Sequence, residues 1–173
     1  MRKTLIITAI VLGVLGFLLT AGNAIMSYQG RTFTYSVRNG DMRPTLVPGE
    51  MIVANPFAYV SNEPRRGDLV ICRYPGEKYT RDVARIVGLP GETVEVRQTR
   101  VFINGRALEE PHAYHEDSPD LTEEVRRRTD DVAPVVVPPK HHYVMGDNRR
   151  FANDSRFRGP VPRRQLLARI IEF

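Results

Sequence analysis

The sequence predicts an all-β domain behind one N-terminal transmembrane helix, and three observations predict it. Strand-like runs with a period near two recur between turn signals along most of the chain. Gly and Pro number 13 each, and no long stretch of good helix formers follows residue 24. Thr4 to Gly22 carries no charged residue and is dominated by Leu, Ile, Val, Ala and Gly. About 19 residues at ~1.5 Å rise give roughly 28 Å, close to the thickness of a bilayer's hydrocarbon core.

Arg2 and Lys3 precede that run, and the next basic residue is Arg31. The positive-inside bias then implies a cytoplasmic tip at 1–3, an anchor at 4–24 and an extracytoplasmic domain at 32–173. The expected location is the cell (plasma) membrane, with lipid as a partner. The alternative is a cleavable signal peptide, with Ala24 before the cut and Gly22 two residues earlier. The apolar run is longer than the usual ~7–15 residue core of such peptides, which favours the uncleaved anchor.

The strands follow in order. Thr32 to Val37 alternates apolar and polar residues. Met51 to Ala54 follows the turn at Pro48-Gly49, and Asp68 to Arg73 follows Arg66-Gly67. Val83 to Val87 ends at Gly88-Leu89-Pro90-Gly91. Thr93 to Leu108 reads as a hairpin turning at Asn104-Gly105, with Val94, Val96, Val101 and Ile103 as its alternating apolar positions. Asn-Gly is a strong turn signal because both central residues of a type I′ turn need positive φ. Tyr143 to Met145 and Leu167 to Phe173 complete the set.

Residues 109–139 differ. They are polar and charged and read as a surface insertion with one short helical turn at Leu121 to Arg128. His112, His115, Glu116 and Asp117 lie there. Without a cysteine or a spaced His pair on a predicted helix they read as a solvated loop rather than a metal site, and no cofactor is expected. Cys72 is the only cysteine, so no intramolecular disulfide forms; its place in Leu69 to Cys72 makes it a buried small hydrophobe. The net charge is +5, but the basic residues are nearly all Arg and are interspersed with acids. With no nucleic-acid reader motif present, nucleic acid is excluded as a partner.

Three segments stand out together: Asn39-Gly40-Asp41-Met42-Arg43-Pro44-Thr45-Leu46; Arg85 to Glu92; and Gly146-Asp147-Asn148-Arg149, leading to Asp154-Ser155-Arg156 and Gly159. In this order, behind an N-terminal apolar run, they closely resemble the type I signal peptidase family over about residues 33–173. The resemblance implies a serine endopeptidase of protein export, built as a β core with a smaller inserted β lobe. It also implies a Ser nucleophile whose proton is taken by a Lys held neutral through burial. The positions that match are Met42, Pro44, Thr45, Gly88, Pro90, Gly91, Gly146, Asp147, Asn148, Arg149, Asp154, Ser155, Arg156 and Gly159.

The chemical positions do not match. The family's nucleophile falls on Asp41, its Lys on Ala84, and the Ser that orients the Lys on Ala152. A hydroxyl donor two residues before the nucleophile becomes Asn39. No catalytic set is intact, so the expected protein is an inactive homologue that binds exported or signal-peptide-like segments through a cleft at Asn39, Gly40, Asp41, Met42 and Pro44. Two alternatives stay open. One is a peptidase working through Asp41, which needs a second carboxylate within reach; His141 and His142 have no Ser paired with them by a recognisable spacing. The other is a structural or assembly module that uses 109–139.

Overall fold

Among the described residues, alternation along the chain produces eleven strands in two antiparallel sheets. The computed structural model describes residues 13, 14, 16, 31–118 and 122–173. The strands are β1 (Phe33–Ser36), β2 (Met51–Asn55), β3 (Leu69–Cys72), β4 (Asp82–Gly88), β5 (Thr93–Arg97), β6 (Arg100–Ile103), β7 (Arg106–Ala107), β8 (Val132–Val136), β9 (His141–Met145), β10 (Val161–Pro162) and β11 (Leu166–Glu172). Two helices interrupt them, α1 (Glu123–Asp130) and the single turn α2 (Ser155–Arg158). The large sheet has the order β1-β2-β11-β3-β4-β9-β10, and the small one β7-β6-β5-β8.

Successive side chains of a strand point to opposite faces, and β3 shows what this requires of a central strand. Leu69 and Ile71 join one apolar cluster, with Met42, Leu46 and Ile52. Val70 and Cys72 join another, with Tyr74, Ala84, Ile86 and Val144. The run is apolar without interruption because the sheet is covered on both faces at this point. A third cluster, Val87, Val94, Val96, Val101, Val137, Tyr143 and Met145, bonds the small sheet to the ends of β4 and β9. Gly88 permits that approach. A Cβ there would collide with Val94 and stand 2.9 Å from the Tyr143 Cβ.

Among the described residues no helix is long and apolar enough to cross a membrane. α1 has eight residues and is charged at both ends, and α2 has four. This corrects the expected N-terminal transmembrane helix, and with it the membrane-lipid partner and the single-pass plasma-membrane placement with a cytoplasmic N-terminus. Apart from residues 13, 14 and 16, the expected span at 4–24 lies outside the described residues.

Two further expectations change. The hairpin beginning at Thr93 turns first at Gln98-Thr99, because Arg97 pairs with Arg100 and Val96 with Val101. Gln98 and Thr99 both have positive φ, 48° and 69°. Their N–H groups are held from outside, by the Asp131 carboxylate at 3.0 Å and the Asp130 carbonyl at 2.9 Å. Asn104-Gly105, with φ of 51° and 78°, turns β6 into β7. Residues 109–139 also do more than decorate the surface. Thr122 caps α1 by accepting from the Val125 N–H, Glu123 and Glu124 sit at its positive end, and Arg127 and Arg128 sit at its negative end. Val132–Val136 then pairs with β5. Pro134 disguised it as loop. As the last strand of its sheet, β8 has a free edge where a missing N–H costs nothing.

A test of the turn follows. A Cβ on Gly105 would meet nothing within 4 Å, so the cost of substitution there lies in the backbone alone. Gly105→Val is expected to lose ~1–2 kcal/mol in urea denaturation. Gly105→Asn should lose less, since Asn tolerates positive φ. Equal midpoints for all three proteins would refute a left-handed requirement at this position.

Candidate functional site

The loop between β1 and β2 is held from below and from the side. Met42 and Leu46 are fully buried, and the Leu46 N–H donates to the Met42 carbonyl at 3.0 Å. These two anchors leave Asp41 above the core. Asn39 brackets it: its Nδ2 donates to the Asp41 carboxylate at 3.0 Å, and its Oδ1 accepts from the Asp41 N–H at 3.4 Å. The Arg43–Pro44 peptide bond is cis.

The segment after β9 meets this loop edge-on. The Asn148 N–H donates to the Asp41 carbonyl at 2.9 Å, and the Asn148 Nδ2 reaches the Gly40 carbonyl at 3.3 Å. Gly146 is where the two loops touch. A Cβ there would collide with the Ala152 methyl and stand 2.5 Å from the Asp41 carbonyl oxygen. Asp147, fully buried, takes two hydrogen bonds from Arg85, at 2.9 and 2.7 Å, and one from the Thr45 hydroxyl at 2.6 Å. Arg149 makes a two-pronged contact with Glu110 at 3.0 and 2.6 Å. Asp154 accepts from the Gly146 N–H and binds Arg156. The Ser155 hydroxyl accepts from the Val144 N–H.

The structure thus brings together Asn39, Gly40, Asp41, Gly146, Asn148 and Ala152. Met42 points away into the core. Ala84 sits on β4 opposite Val70, 1% exposed, in the apolar cluster with Cys72, Tyr74 and Ile86. Ala152 is 2% exposed.

The titration of Asp41 is displaced. Its pKa rises from an ordinary 3.8 to about 6. Burial is the main cause, followed by the negative charges of Asp82 and Asp154, while the Asn153 backbone N–H and Asn39 oppose the shift. The folded state therefore holds this proton more tightly than the unfolded chain does. The stability it contributes is fully present below pH ~4 and is lost as pH rises through about 6. Asp41→Asn is expected to flatten that decline and to leave the protein more stable at pH 7. Allowing for partial solvent screening, the gain is ~1–2 kcal/mol. Urea midpoints at pH 4, 5, 6 and 7 for both proteins measure it; parallel curves would refute it.

A cavity of about 200 Å³ opens beside Asp41, lined also by Gly40, Arg43, Glu116, Asn148 and Phe151. The residues of 110–118 form a strap over the Gly146–Arg149 loop. Tyr114 bridges to Asn148, Glu110 holds Arg149, and Glu116 accepts from the Asn148 Nδ2 at 2.7 Å. The His112 Nε2 lies 3.9 Å from Glu110 and 4.0 Å from Asp147. Asp117 pairs with Arg126 and Arg150. Among the described residues no three metal-ligating side chains converge. Glu110 and Glu116 pack on the matched motif, whereas Asp117, its side chain 73% exposed, fits the reading of a solvated loop. Glu110 and Phe151 were missed by sequence reasoning. A lone Glu facing a buried Arg across 39 positions leaves no local signal.

Comparisons with known proteins show the family. The family model described as signal peptidase, peptidase S26, matches residues 5–172. A signal peptidase I P from Bacillus subtilis subsp. natto is 36% identical over 135 residues, covering 76% of this chain and 72% of that protein. A signal peptidase I from Leptolyngbya laminosa is 35% identical over 164 residues, covering 88% and 75% respectively. Among solved structures, a crystal structure of a signal peptidase I from Enterococcus faecalis V583 matches with a TM-score of 0.48 at 27% identity. It covers 64% of this chain and 98% of that one. By the span of the family model and the identity to these relatives, the chain belongs to the signal peptidase, peptidase S26 family.

Proposed function

We propose that this chain is a catalytically inactive signal-peptidase-like protein that holds exported or signal-peptide-like segments without cutting them. The observation that carries the reading is the character of residues 41, 84 and 152. A serine peptidase of this kind needs a hydroxyl, an amine and a group to orient the amine. The chain supplies a carboxylate and two methyl groups. Buried in an apolar cluster, Ala84 cannot accept a proton, and Asn39 serves Asp41 rather than a nucleophile.

Catalysis through Asp41 itself is the rival, and it calls for a second carboxylate sharing a proton. The two acids that act on Asp41 most strongly are each committed elsewhere. Asp82 pairs with Arg158 at 2.9 Å and Asp154 with Arg156 at 2.8 Å. A purely structural role for a vestigial cleft would be favoured by a cleft filled with its own side chains. The cavity beside Asp41 is open instead. An extended peptide can bind through main-chain hydrogen bonds, with pockets for alternate side chains, and that mode requires no nucleophile.

The test is an assay of the full chain on a secretory precursor, run beside a binding titration with a peptide spanning the cleavage region. Binding without product is expected. Cleavage that disappears in Asp41→Asn would overturn the reading and make Asp41 the catalytic group.

A further inference from the structure

The cavity beside Asp41 is rich in acceptors, and Arg43 is the one cationic side chain in its lining. Asp41 and Glu116 contribute carboxylates. Asn148, 1% exposed, spends its Nδ2 on Glu116 and on the Gly40 carbonyl, and among the described residues nothing donates to its Oδ1. Buried acceptors are almost always paired in folded proteins, and this unused one belongs to a residue that lines the cavity.

The nearby cations are occupied. Arg156 is bound to Asp154, Arg158 to Asp82 and Glu77, Arg149 to Glu110, and Arg150 to Asp117 and Asp130. Arg43 lines the cavity, yet its side chain runs beside Gly40, its Nε 3.7 Å from where a Cβ would stand there. Among the described residues it forms no ion pair with Asp41, whose carboxylate takes its side-chain hydrogen bond from Asn39. The raised titration of Asp41 agrees with a carboxylate that lacks a counter-charge.

A compact group with three N–H donors and a positive charge would meet these needs together. We propose that this cavity binds a primary ammonium carried by the ligand, either a lysine side chain or the free amino terminus of an extended peptide. The proposal rests on the peptide-binding reading and names the chemistry that the cleft selects. Glu116 and Asn148 act here as binding residues, and Arg43 as a competing positive charge at the rim.

The experiment is calorimetric titration of the full chain with pentapeptides. The probe Ala-Ala-Lys-Ala-Ala, acetylated and amidated, is compared with the same peptide carrying norleucine, which has the same chain without the ammonium. Penta-alanine amide is compared with and without its acetyl group. At least about tenfold tighter binding of an ammonium-bearing peptide than of its neutral counterpart is expected, as for a charge-assisted hydrogen bond. The pair that shows the preference tells a side chain from an amino terminus. Asp41→Asn, which keeps the shape of the side chain, should bring that pair close to parity. Arg43→Ala should widen the gap. Equal affinity within both pairs would overturn the ammonium site while leaving peptide binding in place, and so would a preference that survives Asp41→Asn. Failure of every peptide to bind would remove both.

Discussion

Asp41→Ser combined with Ala84→Lys is expected to cut a secretory precursor at least ~100-fold faster than either single variant, the typical contribution of a positioned general base. Asp41→Ser alone leaves a hydroxyl with nothing to take its proton, and a neutral hydroxyl is a weak nucleophile. Ala84→Lys alone introduces an amine into a field made negative by Asp41, Asp82 and Asp154; burial first, and then the charges of Asp82 and Asp154, already raise Asp41. Opposite charge favours the ammonium, so the amine stays protonated. In the double variant one of these three charges is gone. Residue 84 is 1% exposed among Val70, Cys72, Tyr74 and Ile86, and such burial lowers the pKa of an amine.

The double variant carries a cost. Four added side-chain atoms beyond Cβ at a packed position typically destabilise by ~1–3 kcal/mol. Ala152→Ser is the natural third change, since a hydroxyl there would help to orient the amine. Restored activity is still expected to fall short of an intact enzyme, because a misplacement of ~1 Å can cost ~100-fold. The measurement is the initial rate on one precursor for the natural chain, both singles, the double and the triple. A double variant no faster than the singles would mean that residues 41 and 84 are not disposed as a nucleophile and its base.

The β architecture was legible because its signals are local. Thr93 to Arg97 and Arg100 to Ile103 alternate, Leu69 to Cys72 is a continuous apolar run, and Asn104-Gly105 announces its own turn. Gln98-Thr99 announces nothing. Its left-handed backbone is held by Asp130 and Asp131 at the end of α1, about thirty residues away, and a local reading cannot find such a partner. β8 was lost for a related reason. Its strand character comes from pairing with β5, while its own residues include a proline and lie mostly exposed.

The site divides along the same line. Residues 41, 84 and 152 could be singled out in the sequence because they sit at fixed offsets within recognisable motifs. That Gly146 brings the Asp41 carbonyl and the Ala152 methyl together is a fact of packing. Part of the strap was misjudged because Glu110 and Glu116 look like solvent-facing charges, which Asp117 is. Glu110 in fact meets Arg149, which is only 2% exposed. A buried guanidinium needs an opposite charge nearby, and the sequence shows that need without showing which carboxylate answers it.

The largest stability loss is expected from Asp147→Ala. The Asp147 carboxylate ties its own loop to β4 through Arg85 and to the Asp41 loop through Thr45, while its backbone carbonyl accepts from the Tyr114 N–H of the strap. Its carboxylate is fully buried, and the Arg85 side chain is 13% exposed. Removing one partner leaves a buried guanidinium uncompensated, which typically costs ~3–5 kcal/mol. Replacing both partners by apolar groups removes the charge along with its counter-charge. Arg85→Met with Asp147→Leu should therefore recover much of that loss, short of the contribution from Thr45. Glu95→Ala provides the scale. Its partner Arg97 is half exposed, and such pairs contribute ~1 kcal/mol or less. Urea denaturation of the four proteins at pH 7 decides the matter. If Asp147→Ala costs no more than Glu95→Ala, the Arg85–Asp147 pair does not hold the two loops together, and the frame of the cleft must be sought in the apolar anchors Met42 and Leu46 instead.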